Sequence, residues 1–101
     1  MRHPHVSAEI GMLPISDGGR EIFDGYRGQF HLHGGEEIAD VSWRLPTELV
    51  HAGESTACEI WFGRPEYHLP RIKVGDSFEI REGARVVGRG KIVSFLEADA
   101  C

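Results

Sequence analysis

The chain has 101 residues, enough for one domain with a single hydrophobic core but with little room for an active-site cleft as well. Hydrophobic residues make up 41% and charged residues 27%, an ordinary globular composition that argues against global disorder. The formal net charge of -5 argues mildly against binding nucleic acid over a broad face, while a local basic patch stays open.

The lack of a recognisable membrane-spanning or signal-peptide segment favours a cytoplasmic protein, and so does the cysteine content. No apolar run approaches the roughly 20 residues that cross a bilayer, and residues 1–5 lack the apolar core of a signal peptide. We therefore expect no membrane partner. The two cysteines make no disulfide framework, so free thiols are expected. Cys58 lies in an apolar strand-like run and is predicted to be a core residue, whereas the terminal Cys101 is expected to fray.

Six segments have the composition and spacing of β-strands, and turns rich in glycine or proline separate them. In chain order they are residues 6–12, 29–33, 41–45, 56–62, 77–81 and 85–96. No window carries a helical stripe of apolar residues, and Trp43 and Phe62 are expected in the core. The pattern predicts an all-β domain, either a small antiparallel barrel or a sandwich, and closing the sheet would remove its exposed edges.

Several motifs occur in a characteristic order. Residues 18–20 read Gly-Gly-Arg, residues 25–30 read Gly-Tyr-Arg-Gly-Gln-Phe, residues 52–54 read Ala-Gly-Glu, and residues 74–90 contain Phe-Glu-Ile-Arg-Glu-Gly-Ala-Arg-Val-Val-Gly-Arg-Gly. In this order and spacing they resemble the C-terminal domain of elongation factor Tu. That family carries Gly-Gly-Arg, then Gly-Tyr-Arg-Pro-Gln-Phe, Pro-Gly-Asp, and Phe-Ala-Ile-Arg-Glu-Gly-Gly-Arg-Thr-Val-Gly-Ala-Gly. The match covers about residues 5–96.

The resemblance implies a six-stranded antiparallel Greek-key barrel, one domain over residues 1–101 with a core at about 5–96 and frayed termini. It also implies a binding module rather than an enzyme, without a cofactor. No phosphate-binding Gly-x-x-x-x-Gly-Lys-Ser/Thr loop is present, so we expect no nucleotide. The positions through which the family contacts tRNA correspond to Arg20, Gln29, Glu82 and Gly83. They suit recognition of an RNA backbone by an arginine, an amide and a main-chain N–H.

Departures from the family pattern shift the expected partner toward protein. Glu21 stands where the family often has histidine, Gly28 replaces the motif proline, and Glu36 and Glu37 follow a glycine pair. Acidic residues oppose a polyanion. The candidate surface for a protein partner contains Arg64, Tyr67, Arg85 and Arg89.

Two other functions stay open. A small tRNA- or RNA-binding module would use Arg20, Gln29, Arg81 and Arg85. A metal-binding protein would use His31 and His33, which form a His-x-His pair on one strand face and would need a third ligand from elsewhere. The alternative interpretation of both histidines is a solvated strand face, so no metal is assigned.

Glycines in the last motif predict local geometry. Gly83 is expected to take a positive φ in a tight turn between two strands. Gly88 and Gly90 are expected to allow a bend or a close backbone approach, which barrel closure alone would explain. Arg85, Arg89 and Lys91 share one parity on the last strand and are expected on a solvated face.

Overall fold

The computed structural model describes residues 3–35 and 38–96, which form eight strands and one short helix. The elements are β1 (Val6–Met12), β2 (Ile22–Phe23), β3 (Gln29–Leu32), β4 (Ile38–Arg44), β5 (Leu49–Val50), β6 (Ser55–Phe62), α1 (Pro65–His68), β7 (Ser77–Glu82) and β8 (Arg85–Phe95). Single 3-10 turns occupy Ile15–Asp17 and Leu69–Arg71. The expectations for Cys101, Glu36 and Glu37 and for the frayed ends of the chain lie outside the described residues.

Six strands close into an antiparallel barrel in the order β1-β6-β4-β3-β7-β8, with β8 pairing back onto β1. The run β1-β6-β4-β3 is a Greek-key arrangement, because β1 lies beside β6 while β3, β4 and β6 follow one another. The predicted all-β, six-stranded antiparallel barrel is therefore confirmed. None of the helices in the described part of the chain is long and apolar enough to cross a membrane.

The predicted strands agree closely with the observed ones. β1 has the predicted bounds, and the start of β4 at Ile38 is the largest difference, three residues before the predicted 41. The two-stranded ribbon of β2 and β5 was not predicted, and neither was α1. Each of these elements has two to four residues, which is too short for a hydrophobic period to show.

Large aromatic side chains fill the barrel interior. Trp43 and Phe62 are fully buried, as predicted, and the Trp43 Nε1–H donates a hydrogen bond of 2.8 Å to the Gly28 carbonyl oxygen. The Phe30 ring lies 4.6 Å from the Phe78 ring and 5.1 Å from the Phe62 ring between centroids. Because side chains occupy the interior, this is a packed core, as in other small barrels.

Cys58 is buried in the same core, as predicted. Burial raises the pKa of its thiol to about 12, and the nearby Glu59 carboxylate acts in the same direction. A thiol in this environment stays protonated at neutral pH and is a poor nucleophile.

Two glycines let β8 approach its neighbours. A Cβ atom on Gly90 would lie 2.5 Å from Phe78 Cζ and 2.6 Å from the Glu9 carbonyl oxygen, and one on Gly88 would lie 3.0 Å from Met12 Sδ. These distances confirm the predicted close approach.

A bulge at Val87 changes the alternation of β8. Ile80 pairs with Gly88 and Arg81 pairs with Val86, so Val87 has no paired residue on β7. Its side chain is buried. Simple parity would have placed Val87 outside with Arg85 and Arg89. A bulge inserts one residue and resets the alternation, so both arginines are still exposed.

The register defines two ends of the barrel. We call the end with the β7–β8 turn the hairpin end, and Gln29 lies there because it pairs with Arg81. We call the opposite end the helix end, because α1 follows β6 there. Ser77, at the start of β7, lies at the helix end. The six residues of β7 separate the two ends by ~17 Å at the usual rise per residue.

Candidate functional site

A cluster of three side chains lies at the hairpin end. Arg20 Nη1 donates a hydrogen bond of 2.8 Å to Glu82 Oε2, and the Tyr26 hydroxyl donates one of 2.5 Å to the same oxygen. The Arg20 guanidinium carbon also lies 5.5 Å from the centroid of the Tyr26 ring. We call Arg20, Tyr26 and Glu82 the hairpin-end cluster; it joins the first two motifs to the last one, about 60 residues away in the sequence.

The loop before β2 delivers Arg20 to this cluster. Gly18 has a φ of 99°, and a Cβ atom on Gly19 would lie only 1.6 Å from the Leu13 carbonyl oxygen, so the loop folds tightly back on itself. Two hydrogen bonds fix the loop to β8: the Leu13 N–H donates to the Val87 carbonyl oxygen at 2.9 Å, and Arg85 Nε donates to the Gly18 carbonyl oxygen at 2.8 Å.

Burial and neighbouring charges shift the pKa values of Glu82 and Tyr26 in the hairpin-end cluster. Burial raises the pKa of Glu82, but the hydrogen bonds from Tyr26 and Arg20 and the positive charges of Arg20 and Arg85 outweigh it, so the net shift is downward. Burial, followed by the hydrogen bond to Glu82, raises the pKa of the Tyr26 phenol. At neutral pH the phenol is therefore a stable donor to an ionised carboxylate.

The four positions taken from the family resemblance all lie at the hairpin end. Gln29 is half-buried on β3 and pairs with Arg81, the residue next to Glu82. Gly83 has a φ of 65°, which confirms the predicted positive value, and a Cβ atom there would meet open space. The structure thus brings Arg20, Gln29, Glu82 and Gly83 together, although Arg20 and Glu82 already bind each other.

The candidate partner surface is divided between the two ends. Arg64 and Tyr67 lie at the helix end, where the guanidinium carbons of Arg71 and Arg64 lie 4.0 and 6.0 Å from the Tyr67 ring centroid. Arg85 lies at the hairpin end, and Arg89 lies on the barrel wall between the ends. These four residues therefore do not form one continuous patch.

A second charged cluster, which we call the Glu79 cluster, lies on the outer wall. Both Nε and Nη2 of Arg81 donate to Glu79 Oε1, at 2.9 and 2.5 Å. Arg89 Nε lies 4.0 Å from Glu79 Oε2, and His31 Nδ1 lies 3.8 Å from Oε1. The hydrogen bonds from Arg81 lower the pKa of Glu79; burial opposes this shift, and the charges of Arg81, Arg89 and His31 add to it.

Sequence reasoning did not find the Glu79 cluster, because its members come from three strands. Only the register of β3 with β7 and of β7 with β8 places His31, Glu79 and Arg89 in one row across the sheet. A sequence signal exists in the alternation of polar residues along β7, but it does not say which strands lie on either side.

The His-x-His pair divides at the end of β3. His31 lies within β3 and its Nδ1 is buried without a hydrogen-bond partner, whereas His33 lies in the following turn and is exposed. Within residues 3–35 and 38–96, no group of three or more His, Cys, Asp or Glu side chains is arranged to hold a metal ion. The described residues thus supply no third ligand to this pair.

No protein-family model matches this chain. The resemblance to elongation factor Tu therefore rests on the motifs at residues 18–30, 52–54 and 74–90 alone.

Proposed function

We propose that this chain is a non-catalytic binding module of the same kind as the C-terminal barrel of elongation factor Tu. Its partner is a protein, and it acts in the cytoplasm in a process related to translation. The observation that carries the proposal is the internal pairing of the cations that would otherwise contact RNA. The motifs that resemble elongation factor Tu support the assignment to a binding module and to a process related to translation.

Three arginines of the candidate RNA face already have partners within the chain. Arg20 binds Glu82, Arg81 binds Glu79, and Arg85 donates to a backbone carbonyl oxygen. A phosphate would have to displace these partners, and in the first two cases it would approach a carboxylate whose pKa is lowered and which is therefore ionised. This arrangement favours a protein partner over RNA.

Two features support a role without catalysis. The barrel interior is filled by side chains, so a partner binds to the outer surface. The thiol of Cys58 is buried with a raised pKa, and the Ser7 hydroxyl is hydrogen-bonded to the Ser94 hydroxyl at 2.6 Å. Neither group has the base and orienting acid that activate a nucleophile.

The test is affinity purification from an extract of the native host, with and without RNase, at about 50 and 200 mM salt. We expect the same protein to be retained after RNase and at the higher salt. The matched variants are Glu82→Gln, which releases Arg20, and Arg20→Ala. Recovery of tRNA that increases with Glu82→Gln and disappears with Arg20→Ala would show an RNA-binding module and refute the proposal.

A further inference from the structure

The outer face of β3, β7 and β8 is a basic surface on a chain whose net charge is -5. In one row across the sheet, Glu79 lies between His31 and Arg89. Arg81 follows Glu79 on the same outward face of β7, and Lys91 lies in the next row of β8, opposite Ser77. We call Arg81, Arg89 and Lys91, with His31 and Glu79 between them, the basic wall.

Glu79 does not cancel the charge of the basic wall. Its carboxylate holds Arg81 through two hydrogen bonds to one oxygen, while Arg89 Nε stays at 4.0 Å and the Arg89 side chain is 64% exposed. Lys91 is exposed as well. Two cations therefore extend into solvent beside a fixed ion pair. The exposed Glu9 of β1 lies opposite Lys91, so the wall and this neighbour together keep one net positive charge.

An apolar strip borders the basic wall at the helix end. Val93 continues the outward face of β8 beyond Lys91 and is 46% exposed, and Val74 is 59% exposed. Phe95 pairs with the inward-facing Val6 and is 41% exposed at the end of the barrel. Val93 is exposed because it shares the outward parity of Arg89 and Lys91 on β8. The Gly75 N–H donates to the Ile92 carbonyl oxygen at 2.9 Å, which holds the Val74 turn alongside Val93. We call Val74, Val93 and Phe95 the apolar strip.

We propose that the basic wall and the apolar strip together dock a protein segment that carries both acidic and apolar side chains. This inference rests on the proposed function and names the chemistry of the partner. Carboxylates of the segment pair with Arg89 and Lys91, and its apolar side chains cover the strip. The phosphates of an RNA could also pair with Arg89 and Lys91, and a base could stack on Phe95, but RNA has no aliphatic groups to cover Val74 and Val93. RNA is therefore the competing probe in the experiment.

The experiment titrates the full ¹⁵N-labelled chain with three probes and follows backbone amide shifts. The probes are a peptide of about a dozen residues that mixes glutamate with leucine and phenylalanine, a polyglutamate peptide of equal length, and a single-stranded RNA of about a dozen nucleotides. We expect the largest shifts on β7 and β8 with the mixed peptide, and about tenfold weaker binding of polyglutamate.

Two variants with matched controls test the two halves of the surface. Arg89→Glu should weaken binding of the mixed peptide about tenfold, whereas Arg27→Glu, at an exposed arginine outside the wall, should not. Val93→Ser should remove the preference for the mixed peptide over polyglutamate. Ile15→Ser, at an apolar side chain that is 77% exposed and outside the strip, should retain it.

Tighter binding of the RNA than of either peptide would overturn the inference, and so would shifts located away from β7 and β8. Equal effects of each variant and its control would also overturn it. Failure here is distinguishable from failure of the proposed function. If the host extract yields an RNase-resistant protein equally with the wild-type chain and with Arg89→Glu, the module docks on a protein through another surface.

Discussion

Replacing Gly90 with alanine tests how closely β8 lies against its neighbours. The new Cβ atom would lie 2.5 Å from Phe78 Cζ, 2.6 Å from the Glu9 carbonyl oxygen and 2.8 Å from Ile10 Cγ2. The Phe78 ring is fully buried, and the Glu9 carbonyl belongs to the backbone of β1, the strand that closes the barrel against β8. Neither can move away without disturbing the core or the closure.

The expected cost lies at the upper end of the range for overpacked cores, about 3 kcal/mol of the free energy of unfolding. For a domain of this size that corresponds to a decrease in Tm of about 15 °C. Gly11→Ala is the matched control, because a Cβ atom there would lie 3.2 Å from Ser55 Oγ, an exposed side chain that can rotate. We expect the control to change stability by less than about 0.5 kcal/mol.

The assay is urea-induced unfolding followed by tryptophan fluorescence, since Trp43 is fully buried in the folded barrel. Gly90→Ala should lower the midpoint strongly while Gly11→Ala leaves it nearly unchanged. Equal midpoints for the two variants would show that β8 does not lie at this distance from β1 and Phe78, and the account of barrel closure would be refuted.

Three further predictions concern the charged clusters and the buried thiol. Because the pKa of Glu79 is lowered in the fold, its stabilising effect is present above the ordinary carboxyl pKa and is lost as pH falls through the folded value. Glu79→Gln should therefore weaken the dependence of stability on pH in the acid range, as measured by urea unfolding from pH 7 to pH 3; an unchanged dependence would contradict the ion-pair geometry. Tyr26→Phe removes a hydrogen bond to an ionised carboxylate and should cost about 2 kcal/mol of unfolding free energy, with a cost near zero arguing against that bond. In a Cys101→Ser background, Cys58 should react with a thiol reagent at pH 8 only after denaturant is added, and rapid labelling of the folded chain would contradict its burial.

The architecture was predictable where the local pattern is long and regular. β1 alternates over seven residues with every second side chain buried, so its bounds follow from the sequence. The ribbon of β2 and β5 has two residues in each strand and depends on a pairing between Ile22 and Val50 that no local pattern shows. Short elements of this kind form because the surrounding barrel positions them, and a sequence alone does not carry that information.

The candidate site was predictable only in part, because surfaces depend on register. The family resemblance identified four residues that do lie together at the hairpin end. In contrast, the candidate surface for a protein partner combines Arg64 with Arg85. Arg64 precedes α1 at the helix end, and β7 runs from that end to the hairpin end, where Arg85 begins β8. The Glu79 cluster requires the pairing of three strands, and the buried position of Val87 requires a bulge. Neither is visible in a linear pattern of polar and apolar residues.

The motifs that carry the family resemblance contact one another within the fold. Arg20 of the first motif binds Glu82 of the last, and Tyr26 of the second binds the same carboxylate oxygen. Gly83 makes the turn that ends β7, and Gly90 makes room for Phe78. Each of these residues therefore has a structural reason to be present whether or not a ligand binds.

A resemblance built on such residues argues for a shared barrel more strongly than for a shared ligand. We propose that a different surface decides the partner, although one of its residues, Arg89, lies in the last motif at a position where the family has alanine. This surface consists of side chains that the barrel does not need for closure, above all the exposed Arg89, Lys91 and Val93 of β8. Substitutions there should change binding while leaving the fold intact. Substitutions of the motif residues that make structural contacts, such as Tyr26, Glu82 and Gly90, should do the reverse.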